Sequence, residues 1–88
     1  MGIKKKIYTS WAFTENEDKK AEINYEIYKE IKDKAEVKWV RSLHGRQEYE
    51  VVSNPHNLSD DELALICDDG NLCFGYRKDR DLIVIYTD

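Results

Sequence analysis

The sequence predicts a small α+β domain: an antiparallel sheet of about five strands with two helices, in the order β-α-β-β-α-β-β. Three observations carry this. Several short runs alternate apolar and polar residues with a period of two, two stretches open on the Ser/Thr-x-x-Glu spacing of a helix start, and compact turn clusters join neighbouring strand-like runs into hairpins.

The first strand is expected from Ile7 to Phe13, where Ile7, Thr9, Trp11 and Phe13 alternate with Tyr8, Ser10 and Ala12. Thr14-Glu15-Asn16-Glu17 has capping-box spacing, so a helix should begin there or within a turn of it. Ile23, Ile27, Ile31 and Ala35, with Tyr28 beside them, form an apolar stripe at every fourth residue, and Lys and Glu fill most other positions. Val37–Leu43 and Gln47–Val52 read as a hairpin around His44-Gly45-Arg46, with Val37, Trp39 and Leu43 on one face to match Tyr49 and Val51. Ser53-Asn54-Pro55-His56-Asn57 is a turn cluster.

A second capping box, Ser59-Asp60-Asp61-Glu62, starts a short helix from Asp60 to about Asp68, with Leu58 stapling onto Leu63. Leu63, Ile66 and Cys67 form its buried stripe, and Gly70 ends it. Leu72–Arg77 and Leu82–Thr87 then make a hairpin around Lys78-Asp79-Arg80-Asp81, and the last strand, apolar on both faces, should lie inside the sheet. A ferredoxin-like arrangement with an extra terminal strand is one way to connect these elements; a five-stranded sheet in another order is the alternative.

The 88 residues leave room for one domain, 1–88, and the chain is too apolar for a disordered tail at 41% hydrophobic residues. No apolar run approaches the ~18 residues of a membrane span, and Met1–Lys6 leads into polar sequence, so neither membrane insertion nor secretion is expected. Cys67 and Cys73 read as reduced thiols of a cytoplasmic protein. Their spacing from each other and from His44 and His56 fits no zinc pattern, so no metal or cofactor is expected. No nucleophile, base and orienting partner stand at a motif spacing, and the acidic neighbours Asp68 and Asp69 oppose thiolate formation at Cys67. The chain therefore reads as a non-enzyme.

Its charge is informative once resolved along the chain. Residues 1–44 hold ten Lys/Arg and eight Asp/Glu, whereas residues 45–88 hold four and ten, so a +2 half and a −6 half make up the net −4. Asp60, Asp61, Glu62, Asp68 and Asp69, with Asp79 and Asp81, are the candidate partner-binding residues. Carboxylates in such an array imitate a phosphate ladder to a basic groove. The alternative is a small RNA- or DNA-binding module using Lys38, Arg41, Arg46, Arg77, Lys78 and Arg80 on the hairpins with aromatic residues, since Cys73-Phe74-Gly75-Tyr76 loosely matches an aromatic strand of RNA-binding sheets.

The block Leu58-Ser59-Asp60-Asp61-Glu62-Leu63-Ala64-Leu65-Ile66-Cys67-Asp68-Asp69-Gly70-Asn71-Leu72-Cys73-Phe74-Gly75-Tyr76-Arg77, running on to Ile83–Asp88, resembles the C-terminal part of small uncharacterised proteins from phages and mobile elements of low-GC Gram-positive bacteria. The resemblance covers about the final third of the chain and brings no catalytic pattern. In size, acidity and Lys/Glu/Ile/Tyr usage the chain is also similar in type to anti-CRISPR proteins. That likeness implies a partner among host defence proteins, such as a Cas effector, blocked at its nucleic-acid groove or in its conformational change.

Overall fold

The computed structural model describes residues 7–8, 17–71 and 75–86. Within them lie helix α1 (Glu17–Ile31), strands β1 (Glu36–Leu43) and β2 (Arg46–Ser53), helix α2 (Asp60–Cys67), and strands β3 (Gly75–Asp79) and β4 (Leu82–Tyr86). The strands form one antiparallel sheet in the order β1-β2-β4-β3. The α+β class with two helices is as the sequence predicts. The expected first strand, apart from Ile7 and Tyr8, and the Thr14 capping box lie outside the described residues.

The sheet order departs from the ferredoxin-like arrangement. That arrangement would set the strand preceding the first helix between β2 and β3, but β4 occupies the position, bonded to β2 along one edge and to β3 along the other. A strand has only two edges, so nothing further fits between them.

Helix α1 buries Ile27 and Ile31 against Leu65 and Ile66 of α2, with Ile7, Ile23, Tyr28, Ala35 and Val37 packed around them. The predicted stripe runs on to Ala35, but the helix stops at Ile31 and Ala35 reaches the cluster from the connecting turn. The same helix carries a polar residue at its most buried point. Asn24, 0% exposed, accepts from the Tyr8 N–H at 2.9 Å and donates to the Tyr8 carbonyl at 2.7 Å, so one side-chain amide pairs with the backbone much as a neighbouring strand would.

The β1–β2 hairpin closes in two residues. His44 and Gly45 have φ of 46° and 78°, the left-handed pair of a type I′ turn, and Arg46 already pairs with Leu43. The ladder slips between Trp39 and Arg41, leaving Val40 as a bulge. Beyond it every side chain changes face: Trp39 stands opposite Tyr49, but Leu43 stands opposite Arg46 on the other face, contrary to the predicted grouping of Val37, Trp39 and Leu43. Val40 and Leu43 are exposed in consequence.

Helix α2 sits between the sheet and α1 and buries five consecutive residues, Leu63 to Cys67. Leu63, Ala64 and Cys67 meet Ile83 and Ile85 of β4, while Leu65 and Ile66 meet α1, which explains an apolar surface wider than the predicted stripe. Both capping-box bonds form: Glu62 N–H to Ser59 Oγ at 3.3 Å and Ser59 N–H to Glu62 Oε1 at 2.9 Å. Gly70 ends the helix at φ 82°, where an added Cβ would lie 2.9 Å from the Tyr28 ring. Ile83, Val84 and Ile85 are buried, consistent with the inner position expected for the last strand. Among the described residues no helix is long and apolar enough to cross a membrane.

Candidate functional site

Five of the seven predicted acidic residues divide between the two ends of α2, and Asp79 and Asp81 lie on β3 and in the turn after it. Asp60, Asp61 and Glu62 occupy its first turn, where carboxylates complement the helix dipole. Two residues of β3 reach them: Lys78 Nζ lies 3.7 Å from Asp60 Oδ1, and the Tyr76 hydroxyl donates to Asp61 Oδ1. These contacts tie β3 to the start of α2, but Asp79, paired with Leu82, points to the sheet face turned away from α2, and Asp81 is exposed in the β3–β4 turn. Asp79 therefore does not share a face with the carboxylates of α2. Those three each have a structural use, since Glu62 caps the helix, Asp61 holds Tyr76, and Asp60 pairs with Lys78 at an exposed site.

Asp68 and Asp69 lie at the other end of α2, about 12 Å away along an eight-residue helix. Asp68 is the C-cap, and its Oδ2 is buried without a hydrogen-bond partner. Burial, reinforced by the neighbouring Asp69, pushes its carboxyl up to about 6. The Tyr49 phenol facing this end is also raised, first by burial and then by Cys67, Asp69 and Asp68.

The basic residues are rearranged more than the acidic ones. Residues paired across an antiparallel sheet share a face, so the registers define the side turned away from α2 as rows across β1, β2, β4 and β3. One row is Arg41, Glu48, Val84 and Arg77; the next is Leu43, Arg46, Tyr86 and Gly75; on the other side is Lys38, Glu50, Leu82 and Asp79. Arg41, Arg46 and Arg77 therefore share one half of this face, while Lys78 points to the α2 side. Tyr76, an aromatic candidate of the predicted nucleic-acid strand, is likewise on the α2 side, packed against the core; Phe74 lies outside the described residues.

Glu48 organises the arginine side. Its side chain is 4% exposed, with Oε1 at 2.8 Å from Arg41 Nε and Oε2 at 3.5 Å from Arg46 Nη2. The sequence does not reveal this carboxylate, because Gln47-Glu48 at a strand start reads as solvent-facing and only the pairing with Arg41 and Val84 places it inside. Among the described residues no group of three or more His, Cys, Asp or Glu is arranged to hold a metal, and His44 and His56 lie in separate exposed turns. Compared with protein-family models, with curated proteins and with solved structures, the chain matches none.

Proposed function

We propose that the chain is a non-enzymatic inhibitor from a phage or mobile element, an anti-CRISPR-like protein that binds a nuclease effector in the host cytoplasm and blocks it with an acidic surface. The observation that supports this reading is the first turn of α2, which sets Asp60, Asp61 and Glu62 side by side with Asp60 and Asp61 exposed. Their attachment to a capped helix presets their positions, so little side-chain entropy is lost when a basic groove closes on them. Such a groove, built to hold phosphates, responds to charge at a distance.

The test is inhibition of target cleavage by purified RNA-guided nucleases of low-GC Gram-positive bacteria. The triple variant Asp60→Lys, Asp79→Lys, Asp81→Lys spares the helix cap and the Tyr76 contact and should stay folded by circular dichroism. The wild-type chain should inhibit at least one effector, and the variant should lose at least about tenfold in affinity for it. Absence of inhibition across the effectors, or equal inhibition by the folded variant, would overturn the reading.

A further inference from the structure

Helix α2 crosses its face of the sheet from Tyr76 and Lys78 on β3 to Tyr49 on β2, and it stops short of Trp39 on the edge strand β1. Trp39 pairs with Tyr49, so it stands on the same face, and it is 52% exposed. We propose that the corner formed by Trp39, Tyr49, Asp68 and Asp69 docks an arginine side chain of a partner protein. The proposal does not rest on the inhibitor reading, whose surface lies at the opposite end of α2.

Trp39 is held in place for a flat ligand. Its Nε1–H donates to Gln47 Oε1 at 3.0 Å, and Gln47 Nε2 in turn donates to Ser42 Oγ at 2.8 Å, so the indole is fixed in one orientation. With its single donor engaged, the ring has only its face and apolar edge to offer. An indole face attracts cations more strongly than the other aromatic side chains do.

The surroundings select positive charge. Cys67, the last residue of α2, packs in the same cluster as Tyr49, so Asp68 and Asp69 follow at this corner, near enough for their charges to raise the Tyr49 phenol. Asp69 is exposed and supplies a carboxylate for direct contact; Asp68, its Oδ2 buried without a hydrogen-bond partner, adds charge from behind. Neither has an ion pair among the described residues. The negative end of the α2 dipole adds to them. The turn that carries both is closed by the Asp69 N–H on the Ile66 carbonyl at 3.2 Å, the Gly70 N–H on the Leu65 carbonyl at 3.0 Å and Asn71 Nδ2 on the Asp68 carbonyl at 2.8 Å, so little order has to be gained on binding. An anion is repelled here, and an apolar side chain would leave the carboxylates unused. Arginine matches both parts, because a guanidinium stacks on an indole through its plane and forks a carboxylate through its edge, which the compact ammonium of lysine does not do.

The test is an NMR titration of the full chain at low salt with acetyl-Gly-Arg-Gly-amide, compared with the lysine peptide and with the citrulline peptide, which keeps the shape of arginine without its charge. Saturable shifts are expected at the Trp39 indole N–H, the Tyr49 amide and the amides of Asp68 to Asn71, with an affinity in the millimolar range. Trp39→Leu and Asp69→Asn should each weaken binding about threefold, and their combination about tenfold. Glu50→Gln, exposed on the other face of the sheet, should leave it unchanged. The lysine peptide should bind about threefold more weakly, and the citrulline peptide should not bind. Shifts spread evenly over the surface or centred on Asp60 and Asp61, equal binding of the lysine or citrulline peptide, or unchanged affinity in the folded double variant would each overturn the proposal. A chain that binds the arginine peptide at this corner but inhibits no nuclease would refute the inhibitor reading alone.

Discussion

Asp68 places a carboxylate where a helix least favours one, at the negative end of the α2 dipole, with Oδ2 buried and Asp69 next to it. Its carboxyl is pushed up to about 6 in the folded chain, against about 4 for an ordinary aspartate. Between those values the native state holds more protons than the unfolded state, so stability falls as pH rises through that window and the loss is complete above it. Asp68→Asn should therefore raise the unfolding temperature at pH 7 and flatten its decline between about pH 4 and 6, by about 1 kcal/mol once the half-exposed setting is allowed for. Thermal melts across that range test it, and an unchanged profile would show that the carboxylate is relaxed by water. Asn24 has the opposite character, a buried polar group whose bonds are satisfied on Tyr8. Replacing it by Leu adds hydrophobicity yet should cost about 2 kcal/mol in denaturant unfolding, because two backbone groups lose their partner.

At the scale of elements, α2 is governed by its ends. Ser59→Ala removes one arm of the capping box and should lower stability by about 1 kcal/mol. Gly70→Ala should cost more, since the new Cβ meets the Tyr28 ring and the backbone is held at φ 82°. Equal effects in chemical unfolding would mean that the ring moves aside freely. These ends are legible in the sequence because a cap and a terminating glycine act within a few residues of one another. The reversal at Gly45 is local in the same way, and His44→Asn, giving the Asn-Gly pair that type I′ turns favour, should stabilise the hairpin by about 0.5 kcal/mol. What the sequence hides depends on pairing. A period-two reading sends Leu43 to the face of Val37, and only the bulge at Val40 turns it over. Glu48 looks solvated until β1 and β4 are laid on either side of it. The acidic residues are legible in the sequence but their faces are not, because only the β3–β4 register turns Asp79 away from α2 while Tyr76 and Lys78 reach its first turn.

Across the whole molecule, the last strand in the chain is the one that holds the sheet together. β4 bonds to β2 and β3, and it supplies Ile83 and Ile85 to the core under α2 and the fully buried Val84 to the opposite face. The sequence hints at this through a strand apolar on both sides, but strand order follows from edges meeting across a long chain separation, which no local pattern encodes. Helix α1 is attached differently, through Ile27 and Ile31 against α2. The two regions should therefore open with different free energies. In native-state hydrogen exchange at increasing denaturant, the protected amides of Ile83, Val84 and Ile85 should exchange only through global unfolding and show its full denaturant dependence. The central amides of α1, from Ala21 to Tyr28, should exchange through a smaller opening that leaves the sheet and α2 folded. If the α1 amides match those of β4 in free energy and slope, the helix belongs to the same cooperative unit, and the apolar contact with α2, helped by Asn24 on Tyr8, couples it as tightly as strand pairing couples the sheet.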